Sequence, residues 1–146
     1  MISCTEFIPA YSELFKYLHL KGGKGAVVKF WECLSDAFLS NLRDLAAVRG
    51  LAGCFEYWGR TLTEEAADFR MLLDEEAGVF QIHMRRCPSM ARLLEDKRLE
   101  PYPFYCEHCD TLYRRVLEPL GFVYDIDLSR ACTEATCKIT VRQGRK

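Results

Sequence analysis

The stretch Ala66-Ala67-Asp68-Phe69-Arg70-Met71-Leu72-Leu73-Asp74-Glu75-Glu76-Ala77-Gly78-Val79-Phe80-Gln81-Ile82-His83-Met84-Arg85-Arg86 decides whether the chain carries a sheet. Phe69, Met71 and Leu73 recur at every second position, the spacing that puts side chains on one face of a strand. Glu75-Glu76-Ala77-Gly78 is turn-prone, and Val79 to Met84 resumes an apolar run beyond it. The segment therefore reads as two antiparallel strands, Ala66–Asp74 and Gly78–Arg86. A helix competes for the first of them: Thr61 or Thr63 followed by Glu64-Glu65-Ala66-Ala67 is also a helix start, and propensity favours it.

Upstream, helical spacing dominates. Ile8, Tyr11, Phe15 and Leu18 step by three and four residues until Lys21-Gly22-Gly23 interrupts them. Ala26, Val27, Phe30, Trp31, Leu34, Phe38, Leu42 and Leu45 predict a long helix from about Gly25 to Val48, stopped by Gly50, and Leu51 to Trp58 fit a short third helix. His19 falls at a helix end, a capping position. Downstream, Pro88 suits the first turn of a helix reaching about Lys97. Pro101 and Pro103 then enforce a loop. A helix from Cys106 to Leu120, closed by Gly121, precedes strands Phe122–Leu128 and Cys137–Val141. The sequence predicts a single α+β domain over residues 1–146. Its four-stranded antiparallel sheet, built from two hairpins, has the Trp31 helix and the other N-terminal helices as cover and further helices between the hairpins.

Composition agrees with one packed domain. Of 146 residues, 49% are apolar and 28% charged, which excludes disorder and low-complexity fibres. The 20 Lys and Arg against 21 Asp and Glu give a formal charge of −1, so no basic field draws the chain to nucleic acid or to an anionic membrane. The first residues, Met1-Ile2-Ser3-Cys4-Thr5-Glu6, lack the basic start and apolar block of a secretory signal, and a cytoplasmic location is expected.

In a reducing compartment, eight cysteines mean packed thiols, metal ligands or reactive thiols rather than disulfides. Cys106 and Cys109 open the strongest helix of the second half, where the helix dipole favours thiolates. Twenty-two residues separate Cys109 from Cys132, and four separate Cys132 from Cys137. Two such pairs make a candidate tetrahedral zinc site of Cys106, Cys109, Cys132 and Cys137, with His108 and Glu107 as spare ligands. A redox dithiol at Cys106 and Cys109, or plain packed thiols, accounts for the same pattern. Cys4, Cys33 and Cys54 lie in or beside apolar helical stripes and read as core. Trp58, with Tyr57 and Trp31, is either core or the wall of an aromatic pocket. His83, inside the second strand, is a hydrogen-bonded, partly buried residue or a ligand contact. Asp110 and Arg114 stand one helical turn apart and either pair with each other or leave Arg114 to clamp a carboxylate.

Arg86-Cys87-Pro88, then Tyr105-Cys106-Glu107-His108-Cys109-Asp110 and a closing hairpin ending Cys137-Lys138-Ile139, resemble the L-2-amino-thiazoline-4-carboxylic acid hydrolase family. That family's pattern has an Asp three residues after its Cys, whereas Asp110 stands four after Cys106. The same ending resembles the 4-vinyl-reductase domain, a small-molecule-binding fold in which some sensor members hold zinc through cysteines. Carried across, that resemblance implies Cys106, Cys132 and Cys137 as zinc ligands, with Ser129 where an acidic ligand can stand. The expectation is thus a small-molecule-binding domain, with Trp58, His83, Cys109 and Arg114 against the ligand. The alternative is a hydrolase opening a C–N bond of a small cyclic amidine that carries a carboxylate, with Cys106 or Cys109 as nucleophile, His108 and Asp110 as proton carriers and Arg114 or Arg115 as clamp. Binding ranks above catalysis because no complete acid–base set is legible. Self-association into a homodimer is left open.

Overall fold

The structure is a computed structural model; it describes residues 4–144, with side chains from Glu6 onward. Two long helical segments come first, α1 (Cys4–Phe38) and α2 (Ser40–Glu64). Each is broken at a glycine. In α1 the break is at Gly22 and Gly23, the latter with φ 71°, and in α2 it is at Gly50, with φ 60°. A positive φ costs a residue with a Cβ, and glycine removes that cost. The expected long helix passes from α1 to α2 at Leu39, whose φ of −99° and ψ of 23° leave the helical region. Helical bonding nonetheless continues across it, from Leu39 N to Ser35 O and from Arg43 N to Leu39 O.

The contested stretch contains both of its readings in succession. The helix expected to end at Trp58 runs on to Glu64, and the hydroxyls of Thr61 and Thr63 donate back to the carbonyls of Tyr57 and Gly59. Ala66 then turns with φ 51°, so β1 spans Asp68–Asp74 rather than starting at Ala66. Strand β2 (Val79–Arg86) pairs with it antiparallel, Asp74 opposite Val79, around a turn in which Asp74 Oδ1 accepts from the Ala77 N–H. Next come α3 (Pro88–Glu95), α4 (Glu107–Leu117) and a 3₁₀ turn at Glu118–Leu120, stopped by Gly121 at φ 87°. Strands β3 (Phe122–Asp127) and β4 (Cys137–Gln143) complete an antiparallel sheet in the order β1-β2-β4-β3. They are joined through α5 (Ala131–Glu134), a single turn that the alternating pattern does not reveal.

The apolar residues form two cores. In the first, Leu42, Cys54 and Trp58 of α2 and Val116 and Leu117 of α4 meet Phe80, Ile82, Tyr124 and Val141 on one face of the sheet. The second joins Phe15, Val27 and Trp31 of α1 to Met90 and Leu93 of α3 and to Tyr102 and Tyr105. The helix expected over Gly25–Val48 is divided between the cores: its Trp31 half, in α1, packs away from the sheet, while its Leu42 and Ala46 half, in α2, covers the sheet together with α4. Phe15 and Trp31 face each other at 5.2 Å across the Gly22–Gly23 break, and the apolar stripe of α1 is satisfied away from the strands. Cys33, read as core, is exposed, while Cys54 is buried and Cys4 lies outside the described side chains. His19, expected at a capping position, shares a 2.9 Å hydrogen bond with the Tyr102 hydroxyl through Nδ1.

The two arms of α2 meet closely at Gly53, where a Cβ would lie 2.0 Å from the Leu45 carbonyl oxygen. Backbone cannot swing aside as a side chain does, so Gly53→Ala is expected to lower stability by about 3 kcal/mol or more. Urea unfolding measures it, and an unchanged midpoint would contradict this packing.

Candidate functional site

A cavity of about 530 Å³ lies between the inner face of the sheet and the helices. Its floor is made by cross-strand neighbours, Ile82 opposite Ile139 and Met84 opposite Cys137. Trp58 and Leu62, in the last turns of α2, form one wall, and Ile8 and Tyr11 of α1 form another. Cys87, with Pro88 and Ser89 at the start of α3, and Tyr105, His108, Cys109 and Tyr113 around the first turns of α4 close the remainder. A second space of about 30 Å³ adjoins it, lined by Cys87, Cys106, Cys109, Cys137 and His108 among others.

Local structure puts each of these groups in place. Cys87 directly precedes α3, and its N–H donates to the Ala135 carbonyl at 2.7 Å, tying β2 to the turn after α5. Cys137 opens β4 on the inner face, since it sits in register with Met84. The Nδ1–H of His108 donates to the Tyr105 carbonyl at 2.5 Å. A carbonyl only accepts, so the proton resides on Nδ1 and Nε2 carries the lone pair. That nitrogen lies 3.5 Å from Cys109 Sγ. Both residues are deeply set yet retain accessible surface, which they present to the cavity.

The electrostatics oppose the sequence reading. Burial pushes the Cys109 thiol from 9.0 up to about 12, helped by the charge of Asp110. That displacement is worth about 4 kcal/mol, several times the ~0.3–1 kcal/mol that a helix terminus offers. The expectation of thiolates primed by the helix dipole is corrected accordingly. Burial likewise raises Cys137 to about 12, and it raises Cys106 far above its ordinary value with help from the neighbouring Cys132, Cys109 and Cys87 thiols. Cys87 is raised by burial and by Cys109, with the backbone N–H groups of Met90 and Ser89 offsetting part of the shift. His108 is lowered by burial and stays neutral. The site holds neutral thiols and a neutral imidazole.

Of the residues singled out from sequence, Trp58, His108, Cys109 and Cys137 line the main cavity, and Cys106 lines only the smaller one. Cys132 is exposed on α5 and lines neither. His83 lies in register with Arg70 and Lys138 on the face of the sheet opposite Ile82 and Met84, away from the cavity. Asp110 and Arg114 pair with each other at 2.7 Å, and Arg114 also holds Glu118, so neither faces the cavity. Arg115 holds Asp36 on α1 at 2.8 Å. Of the expected zinc set, Cys106 and Cys132 are hydrogen-bonded neighbours, while among the described residues no group of three or more His, Cys, Asp or Glu side chains that could hold a metal ion is found. Sequence reading left out Cys87 as a lining residue, although a Cys-Pro opening a helix behind a strand was its signal. Tyr11, Leu62 and Tyr113 carried no signal beyond apolar spacing. No protein-family model matches the chain, and neither characterised proteins nor solved structures give a match.

Iodoacetamide labelling of the native protein, mapped by mass spectrometry, is expected to reach the exposed Cys33 and Cys132 first and the buried Cys54 only on unfolding. Early modification of Cys54 would contradict the packing of α2. Because the Arg114 pairs are more than one-third exposed, Arg114→Ala is expected to lower stability by about 1 kcal/mol or less. Thermal unfolding checks it.

Proposed function

We propose that this domain binds a small, largely apolar molecule with aromatic character in the cavity between the sheet and α4. The observation that carries the reading is the lining itself. Ile82, Met84, Ile139, Leu62, Trp58 and Tyr113 supply apolar and aromatic surface, while a few polar groups, His108 and the thiols of Cys87, Cys109 and Cys137, converge on the same space. An apolar space with few converging polar groups is the usual form of a small-molecule site, and about 530 Å³ falls within the range of such sites.

The lining also bears on the ligand's charge. Among the described residues that line the cavity none is Lys or Arg, and Glu65 stands exposed at its rim. A carboxylate entering it would lose water and gain no cation, which costs several kcal/mol. A neutral ligand is favoured over the carboxylate-bearing amidine of the hydrolase reading. The resemblance to the 4-vinyl-reductase domain points the same way, toward binding.

Titration with the uncharged naphthalene dye prodan tests the proposal. A saturable blue shift at one molecule per chain is expected, and Leu62→Trp, which fills the cavity from the end of α2, is expected to abolish it. Competition should show 2-naphthol displacing the dye at least about tenfold more strongly than 2-naphthoate. Absence of saturable binding, or binding that survives Leu62→Trp, would overturn the assignment.

A further inference from the structure

We infer that Cys109, with His108 as its proton acceptor, is a nucleophile that adds to an electrophilic trigonal carbon of a molecule held in the cavity. The inference rests on the cavity being a binding site, and it assigns that site a covalent step. Three thiols line the space, those of Cys87, Cys109 and Cys137. Among the described residues, Cys109 alone of the three has an imidazole nitrogen in hydrogen-bond contact, at 3.5 Å.

The direction of that contact follows from the other side of the ring. Tyr105 O fixes the proton on Nδ1, so Nε2 accepts and the Cys109 S–H donates. Thiol, imidazole and carbonyl form one ordered chain, the arrangement in which an adjacent base activates a nucleophile and a third group orients the base. The ring itself is clamped: Tyr11 and Tyr105 meet it nearly edge-on, at 6.1 and 5.0 Å between centroids. Asp110 carries no proton in this step, because Arg114 holds it outside the cavity lining, and its charge favours the neutral thiol.

The step balances without an oxidant or a reductant. As the sulfur electron pair forms the S–C bond, the π bond of the polarised double bond breaks and its pair moves to the heteroatom, or to the oxygen conjugated with it. The thiol proton passes to His108 Nε2 and from there to the atom that received the pair. For a carbon–heteroatom double bond the net change is addition of S–H across it; in the conjugated case the enol formed at oxygen passes its proton to the α carbon, and S–H has then added across the carbon–carbon double bond. The neutral thiol suits an apolar site, since no charge is buried until the electrophile is in place.

N-(1-naphthyl)maleimide is the probe, because it joins a flat aromatic body to a polarised double bond. The wild-type protein is reacted briefly under native conditions, and each cysteine is scored by peptide fragmentation in a mass spectrometer. Modification of Cys109 is expected to run at least about tenfold faster than that of Cys87 and Cys137, and to slow when prodan occupies the cavity. His108→Gln puts an amide where Nε2 stands and removes the base, and it is expected to slow Cys109 by at least about tenfold. Near-ultraviolet circular dichroism establishes that the variant folds, and if it does not, the order of reaction in the wild-type protein decides alone. Equal rates at the three thiols, earlier reaction at Cys87 or Cys137, or a folded His108→Gln protein that reacts as fast as wild type would overturn the inference. With prodan still bound, any of these results removes the nucleophile and leaves the binding site; loss of prodan binding removes both.

Discussion

Helix α4 has to serve two hydrophobic cores at once, and the architecture is arranged around that requirement. Val116 and Leu117 are buried against the sheet and α2, while the residues just ahead of the helix, Tyr102 and Tyr105, belong to the core shared by α1 and α3. Polar contacts fix the helix between them. Ser35 of α1 donates to the Leu112 carbonyl at 2.8 Å, and Arg115 reaches Asp36 on the same helix. An element shared in this way cannot move toward one core without opening the other. The space left at its first turn, where the two cores part, is the cavity.

That location sets the chemistry. Cysteines at a helix start in water would ionise more readily, but here the surroundings are Ile82, Ile139, Met84 and aromatic rings, and desolvation outweighs the dipole. The same desolvation keeps His108 neutral, and the Tyr105 carbonyl selects its tautomer. A thiol beside a neutral imidazole holds its proton in reserve for an electrophile that arrives with its own polarity. The carboxylate–guanidinium pair one turn further on, Asp110 with Arg114, lies outside the cavity and links the first turn of α4 to its last.

The elements were largely legible in the sequence because each rests on short-range rules. The period-two run Phe69, Met71, Leu73 became a strand, and Gly23, Gly50 and Gly121 stand where the backbone takes a positive φ. The stretch with two readings shows the limit of those rules: Thr61 and Thr63 extended the helix to Glu64, and the strand formed only after Ala66 turned the chain. The α5 turn had no pattern to read, since one turn carries no periodicity. At the site, Trp58, His108, Cys109 and Cys137 were named from residue type and spacing, and they do line one space. His83 and Arg114 were named on the same grounds and face elsewhere. Strand register put His83 on the opposite face, and two carboxylates took up the guanidinium.

Sequence by itself determined the α+β class, the helix stops and the pairing of β1 with β2, because periodicity and turn residues act over a few neighbouring positions. Only the tertiary structure decided which helices cover the sheet, which thiols share a space and which way their protonation moves. Cys87, Cys109 and Cys137 come from the loop before α3, the first turn of α4 and the start of β4, so their meeting depends on the packing of three elements. Their protonation depends on every group that excludes water around them, a sum over residues distant along the chain that no local spacing encodes.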